Sequence, residues 1–389
     1  MSRGQGPRLA IVGVGETPVG RLECGGSLEL SARAAVAAVK DSGLEPKDID
    51  GLLCGGSLID GMFMYNARLA NYLGIQPMYA SMIPLGGAAF GHAIMEAENA
   101  IKAGLCRHVL VVAGDPLLSQ VGSKRAISMF GSFQDADYEL PYGYIMPAAY
   151  AMVARRHMHE YGTTPEQLAQ VAVSARRHAS ANPLAQYRDP LDIQDVLDAP
   201  RVATPLGVYD CSPISDGAGA FVVSSAERAR HLTPRAVRVL GVGEGHQWEY
   251  SSPKRVLTSS GAAISAPKAF AQAGLTPDDC DAAQIYDCFT ITVVVSLEDL
   301  GFCAKGEGGA FVEGGRIEVG GELPVNTHGG LLSHGHPGAP AGIFHVIEAV
   351  KQLRGEVEEE RLMENCQVCL VHGNSGVLRD SVTLILGRD

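Results

Sequence analysis

Apolar and polar positions follow the same order twice along this chain. Short β-rich runs at 9–12 and 236–240 lead into Val12-Gly13-Val14-Gly15-Glu16 and Leu240-Gly241-Val242-Gly243-Glu244. An Ala-rich helical pattern follows each, and then Gly43-Leu44-x-Pro46-x-Asp48-x-Asp50 or Gly274-Leu275-x-Pro277-x-Asp279-x-Asp281. A glycine closing such a helix predicts a C-terminal cap, and the proline after it prevents the helix from resuming. Gly86-Gly87 then opens a helical run through 101, and Gly329-Gly330 opens a loop and helix through 350. Apolar strands at 108–114 and 367–373, and at 218–223 and 381–386, complete the matches. Correspondences in one order mark an internal repeat.

The pattern predicts an α/β protein of two similar halves, 1–228 and 234–389, with mixed sheets sandwiched by helices. The first half carries an excess at 116–204, rich in Met, Tyr, His and Pro. That is too long for a plain connection and predicts a loop domain over a ligand site.

Composition narrows the function classes. The 389 residues are 46% hydrophobic and 19% charged, enough for more than one core. A net charge of -12 argues against a nucleic-acid partner, which needs clustered Lys and Arg. The nine cysteines are scattered, and the one CxxC, Cys366 and Cys369, sits in an apolar run, where a buried pair is the plainer reading than a metal or redox site. Their odd number suggests reduced thiols. The N-terminal apolar run is short for a secretory signal and no stretch approaches a membrane span, so a cytoplasmic protein is expected. Gly13-x-Gly15 does not continue as a dinucleotide fingerprint.

Particular motifs add a family resemblance over nearly the whole chain. Asn326-Thr327-His328-Gly329-Gly330 followed by Gly335-His336-Pro337 resembles the thiolase block with Asn, paired Gly and GHP. Tyr286-Asp287-Cys288-Phe289 resembles the HDCF-type block of sterol-carrier-protein X-type thiolases, and Glu160-Tyr161-Gly162-Thr163-Thr164, Asn182-Pro183 and Asp216-Gly217-Ala218 resemble the same lipid-transfer-protein branch. The resemblance implies the thiolase fold, layered α-β-α-β-α, and a homodimer. It also implies a nucleophilic cysteine at the head of a buried helix. Counting back from Ala100-Ile101-Lys102-Ala103-Gly104, that position falls on Gly87, with no Cys or Ser nearby. The second thiolase cysteine is also gone, its neighbourhood reading Leu370-Val371-His372-Gly373-Asn374-Ser375-Gly376. Thiolysis and Claisen condensation pass through an acyl-cysteine, because a thiolate is nucleophilic near neutral pH. Glycine offers only a backbone N–H, which can serve an oxyanion hole at a helix N-terminus.

The expected reaction is therefore retro-aldol cleavage of a β-hydroxyacyl-CoA, as in thiolase-fold acyl-CoA aldolases, with a steroid or aryl side chain among the candidates. Tyr286 is a candidate proton shuttle, against the plainer reading of a packed strand-end tyrosine. His336 is a candidate to polarise the thioester or move the β-hydroxyl proton, its ordinary pKa near 6.5 suiting either task. Steroid aldolases of this fold tend to have Tyr at that position. Asp287 is expected to orient, Asn326 to brace the His336 loop, and His372 to reach the ligand or fill space. Gly87 and Gly373 mark the oxyanion region. His328 and His334 near His336 lack a clear further ligand, so no metal is expected. His92 and Glu96 read as an acid–base pair or a plain i,i+4 contact. Arg155-Arg156 and Arg176-Arg177 read as solvated surface or as contacts to CoA phosphates.

Coenzyme A enters as a thioester substrate, with no permanently bound cofactor and with CoA-binding residues unassigned. Relatives in this branch work with a zinc-ribbon/OB-fold protein, which makes such a partner a candidate here. Two alternatives stay open: thiolysis or acyl transfer through Cys54, Cys211 or Cys288, and a non-catalytic acyl-CoA or lipid-binding subunit.

Overall fold

A computed structural model describes residues 9–61, 63–247 and 256–388. Residues 1–8 of the expected first half lie outside the described residues. The strands are β1 (Leu9–Glu16), β2 (Gly51–Cys54), β3 (Tyr79–Met82), β4 (His108–Pro116), β5 (Arg201–Ala203), β6 (Leu206–Gly207), β7 (Asp216–Ser225), β8 (Val237–His246), β9 (Ala282–Ile285), β10 (Val368–Ser375) and β11 (Asp380–Gly387). All but β5 and β6 join one nine-stranded sheet in the order β3-β2-β4-β7-β1-β8-β11-β10-β9.

The repeat is built into that order. In the first half β2 runs parallel to β4, β4 antiparallel to β7, and β7 antiparallel to β1. In the second half β9 runs parallel to β10, β10 antiparallel to β11, and β11 antiparallel to β8. The halves meet where β1 pairs with β8 over Leu9–Ile11 and Val237–Val239. Gly55 follows β2 as Tyr286 follows β9, so the two residues hold the same place in their halves.

Alternation along the strands sorts side chains into layers. Ala10 and Val12 of β1, with Leu110 and Val112 of β4, pack on Ala34 and Ala38 of the outer helix Ser27–Ser42. Leu9, Ile11, Val109 and Val111 face the other way, onto the helices Ala89–Lys102 and Ile343–Arg354. Those two helices also meet Val371, Leu384 and Leu386 of the second half. Leu370 and Ile385 then point outward to the helices Ala262–Ala273 and Thr290–Asp299. The layers are thus helix, sheet, helix, sheet, helix.

Repeated residues explain how the layers close up. A side chain on Gly13 or Gly15 would strike the backbone of Ala38 or Ala34, and one on Gly241 or Gly243 that of Ala269 or Ser265. These glycines let each outer helix lie backbone to backbone on its strand. Gly43 and Gly274 cap those helices with φ of 76° and 70°, a left-handed conformation that glycine adopts without steric cost. Asp50 accepts the Arg107 and His108 N–H groups at 2.7 and 2.8 Å. Asp281 accepts those of Gln367 and Val368 at 2.7 and 2.9 Å. Each aspartate thereby pins the start of the neighbouring parallel strand.

The loop and helix expected after Gly329-Gly330 are a single π-helical turn, Gly330–His334, a loop, and a helix that begins at Ile343. The glycine that meets the head of the first buried helix is Gly342, where a side chain would overlap the Gly87 carbonyl.

Between β4 and β5 run the helices Leu117–Gln120, Ser123–Gly131, Met146–Tyr161, Pro165–Ser180 and Ile193–Asp198. Thr164 caps the fourth through a capping box with Gln167. Asp216, at the start of β7, ties this region down by accepting the N–H groups of Leu22 and Ser119 at 2.8 and 2.9 Å.

Candidate active site

A cavity of about 1270 Å³ opens between the ends of the two half-sheets and the helices that follow β4. Gly87, Tyr286 and His336 line it, together with the apolar side chains of Ile127, Phe130, Met146 and Tyr150.

Tyr286 and His336 form its polar centre. The Tyr286 Oη lies 2.8 Å from His336 Nε2, and both residues are nearly buried, at 7% and 8% exposure. Tyr286 leaves β9 with its N–H on the His372 carbonyl at 2.8 Å. The Asn326 amide brackets the preceding Ile285, accepting its N–H and donating to its carbonyl, each at 2.7 Å. Asn326 therefore braces the root of Tyr286 through its side chain, where the sequence suggested the His336 loop. Asp287 turns the other way, accepting Leu331 N–H at 2.7 Å and lying 3.3 Å from His345 Nε2.

His336 is held at both ends. Its N–H donates to Ser215 Oγ at 2.9 Å, and its carbonyl accepts Ser215 N–H at 3.2 Å. The Gly338 N–H donates to His336 Nδ1 at 3.2 Å. An accepting Nδ1 puts the proton of a neutral imidazole on Nε2. His336 then donates to Tyr286 Oη, and the tyrosine keeps its own O–H for another acceptor.

Both groups are held neutral. Burial pushes His336 down to about 4, despite a backbone hydrogen bond that favours the proton. Burial, with Cys288 and Asp287 nearby, raises the Tyr286 phenol well above its ordinary value. The imidazole titrating near 6.5 that the sequence suggested is thus replaced by one that stays neutral to much lower pH, because the wall around it leaves little room for water to solvate a charged ring.

The third element is Gly87, in the 3₁₀ turn Gly86–Ala88 that leads into the helix Ala89–Lys102. A side-chain carbon built there would overlap the ring of Tyr286 and the Asn374 carbonyl. Gly373 and Gly342 close on Gly87 from the other side, where any side chain would strike its carbonyl. The turn is packed so tightly that only main chain fits.

The remaining residues singled out by sequence fall behind this surface. Asp287, Asn326, His328, His372 and Gly373 are outside the cavity lining. His372 is fully buried, with Nδ1 at 3.1 Å from Thr383 Oγ1, and burial lowers it to about 3. His92 and Glu96 bond elsewhere: His92 to Glu244 at 3.0 Å, and Glu96 to Tyr79. Of the arginine pairs, Arg176 lines the cavity, held by Ser333 Oγ and the Asp189 carbonyl between the rings of Tyr187 and Tyr209. Arg156 pairs with Glu160 and Arg177 with Glu318.

Among the cysteines, Cys211 and Cys288 line the cavity, whereas Cys54 is packed in the first-half core. Burial raises the Cys288 thiol to about 12 and Cys211 further still, so both are protonated at neutral pH. Sequence reasoning missed Ser215, which clamps His336, and Tyr150, which stacks on Phe289 at 4.4 Å. Neither lies in a motif with a distinctive spacing. Among the described residues no group of three His, Cys, Asp or Glu side chains could hold a metal ion, and no helix is long and apolar enough to cross a membrane.

Comparison with known proteins places these features. Residues 9–227 match the thiolase N-terminal domain, and residues 243–388 match the thiolase C-terminal domain-like model. The chain is 35% identical to an acetyl-CoA acetyltransferase of Methanothermobacter thermautotrophicus, over 98% of this chain and 99% of that protein. It is 34% identical to a steroid side-chain-cleaving aldolase of Thermomonospora curvata, covering 98% of each. Among solved structures it superimposes on the Ltp2-ChsH2(DUF35) aldolase with a TM-score of 0.87 and 33% identity, again covering 98% of each chain.

Proposed function

This chain belongs to the thiolase family, and we propose that within it the protein cleaves a β-hydroxyacyl-CoA by a retro-aldol reaction that forms no acyl-enzyme. One observation carries this reading: the Tyr286 ring fills the space above Gly87 that a nucleophilic side chain would need, and its hydroxyl rests on His336. Aldolases are among the similar proteins at full length.

The chemistry follows from two groups that resist ionisation. In one concerted step Tyr286 Oη accepts the β-hydroxyl proton while its own proton passes to the α-carbon, as the carbon–carbon bond breaks and the β-carbon becomes a carbonyl. The bond's electron pair shifts toward the thioester, giving enolate character that the arriving proton quenches at the α-carbon. One proton enters the tyrosine and one leaves, so neither phenolate nor imidazolium accumulates. His336 Nε2–H holds the phenol oxygen throughout. The Gly87 N–H and the head of the helix Ala89–Lys102 are assigned the developing enolate charge, because a helix N-terminus favours negative charge. Asp287, Asn326, His328, His372 and Gly373 support this surface from behind.

The substrate is a CoA thioester with a large apolar acyl group. The cavity exceeds the usual range for drug-sized ligands, roughly 300–1,000 Å³, and Ile127, Phe130 and Met146 give it an apolar wall. Incubation with β-hydroxyacyl-CoA esters of aryl, steroid and alkyl type, with products identified by mass spectrometry, tests the reaction. A ketone or aldehyde plus a shorter acyl-CoA is the expected outcome. Products only from β-ketoacyl-CoA plus free CoA would reject it.

A partner belongs to this reading, since the similar aldolase structure carries two components in its name. A zinc-ribbon/OB-fold protein co-expressed with this chain should co-elute with it. A homodimer is also part of it, because among the described residues β3 ends the sheet with no further strand beside it. The rival acyl-transfer reading draws on the acetyltransferase relative and on Cys211 and Cys288 in the cavity wall. Iodoacetamide inactivation prevented by acyl-CoA would favour it.

A further inference from the structure

Among the described residues two arginines line the cavity, and the chemistry above uses neither. Arg379 is neutralised by Asp380, which accepts its Nε–H at 2.8 Å. Arg176 has no carboxylate partner among the described residues. Its Nε donates to Ser333 Oγ at 3.0 Å and its Nη1 to the Asp189 carbonyl at 3.1 Å, both uncharged oxygens. That engages only part of the five-donor fork of a guanidinium. The rings of Tyr187 and Tyr209 stand 5.4 and 5.8 Å from its central carbon. Tyr187, Tyr209 and Asp189 border the cavity, whereas Ala175 and Arg177, beside Arg176 on the helix Pro165–Ser180, do not. It is therefore the tip of this side chain, 7% exposed, that reaches the hollow.

Taking a charge out of water without a counter-charge is costly. The tyrosine rings offset part of that cost. Bracing Ser333 does not account for the rest, because a neutral amide can donate the same bond. What only the guanidinium offers is a planar fork of donors with a full positive charge, the match for a carboxylate. The fork is also near the reacting centre along the chain. Ser333 stands three residues before His336, a separation of at most about 11 Å. Apolar side chains border the cavity at both points: Leu332 beside Ser333, and Ile214, which bridges to His336.

We propose that Arg176 binds a carboxylate at the far end of the acyl chain, so that the substrate is a CoA monothioester of a dicarboxylic acid with an apolar body. The assignment deepens the retro-aldol reading and rests on the thioester lying at Tyr286 and His336. The coenzyme's own phosphates are the other anions to weigh. They carry more charge and call for clustered cations, whereas Arg176 stands alone and the Asp189 carboxylate acts on it from nearby. A single carboxylate matches a single guanidinium. Anchored there, it fixes which way round a long chain enters and sets the β-carbon against Tyr286.

Calorimetric titration of the full chain tests this without turnover. The probes are hexanedioyl-, octanedioyl- and dodecanedioyl-CoA, their methyl-ended counterparts, and free CoA. At least one diacid thioester should bind about tenfold tighter than its counterpart. Arg176→Gln should abolish that preference and leave the binding of free CoA unchanged. No preference in the wild-type protein, or one that survives Arg176→Gln, would overturn the proposal. So would equal weakening of every thioester and of free CoA, which would mark a phosphate contact. If Arg176→Gln loses its cooperative melt, the wild-type protein decides alone: methylating the free carboxylate should remove the preference, and undiminished binding of the methyl ester would refute the carboxylate site. Failure of cleavage across the β-hydroxyacyl-CoA esters would instead strike the retro-aldol reading and leave the titration standing.

Discussion

Gly87 and Tyr286 divide one space between them: the ring of the tyrosine lies where any side chain of residue 87 would have to begin. The ring is fixed by its hydroxyl on His336 and by His345 alongside. Gly87→Cys should therefore not create a thiolase. Overpacking of this kind costs typically about 1–3 kcal/mol, and the displaced ring should take retro-aldol activity with it. A melt and a product assay check both outcomes, and acquired thiolysis with intact stability would show that the space is free.

Tyr286→Phe removes the hydroxyl to which the proposed mechanism assigns proton exchange with substrate. Turnover should fall by roughly 10²–10⁴ with little change in KM. His336→Phe should act through the same hydroxyl, so the double variant should fall no further than either single one.

The pH dependence has a definite sign. His178, His334 and His336 are lowered to about 4 and His372 to about 3, in each case chiefly by burial. The unfolded chain takes up these protons near 6.5, whereas the fold refuses them until much lower pH. Their contribution to stability is complete above about 6.5 and is lost as pH falls toward 4. Asp115, raised to about 7 by burial, works in the opposite sense as pH rises through the carboxylate range. Urea midpoints at pH 7.5, 6.0 and 5.0 should fall in that order, while turnover should show no break near 6.5.

Asp50 and Asp281 each hold two backbone N–H groups at a strand start. Asp50→Ala and Asp281→Ala should each destabilise by about 1–3 kcal/mol. The two sites lie in separate halves, so the double variant should show their sum. Denaturant titration measures all three.

Iodoacetamide at neutral pH should leave activity intact. The thiols that line the cavity, Cys211 and Cys288, are held protonated by burial, and a protonated thiol reacts slowly.

The sequence made the two-half architecture legible because most of its markers are local. Gly43 and Pro46 act on the adjacent turn, as Gly274 and Pro277 do in the second half, whereas Asp50 and Asp281 reach across to a strand far along the chain. The loop and helix after Gly329-Gly330 were legible too, but not that the loop opens with a π-helical turn. Tyr286, His336 and Gly87 could be singled out by motif and by counting along a helix. That they touch could not, since residues 87 and 286 come together only when the two halves close. The same holds for Ser215 on His336, and for Asn326, whose amide reaches Ile285 across the second half. The shift of His336 away from 6.5 depends on how much wall surrounds it, which a residue string does not record.

Duplication left the chamber with twin rungs that have parted company. After β2 stands Gly55, where even a methyl group would crowd Ala113 and the Phe90 ring; after β9 stands Tyr286. Both border the same hollow. One copy keeps a bare wall and the other puts a phenol into the same hollow, so a single duplicated position has been turned to two uses.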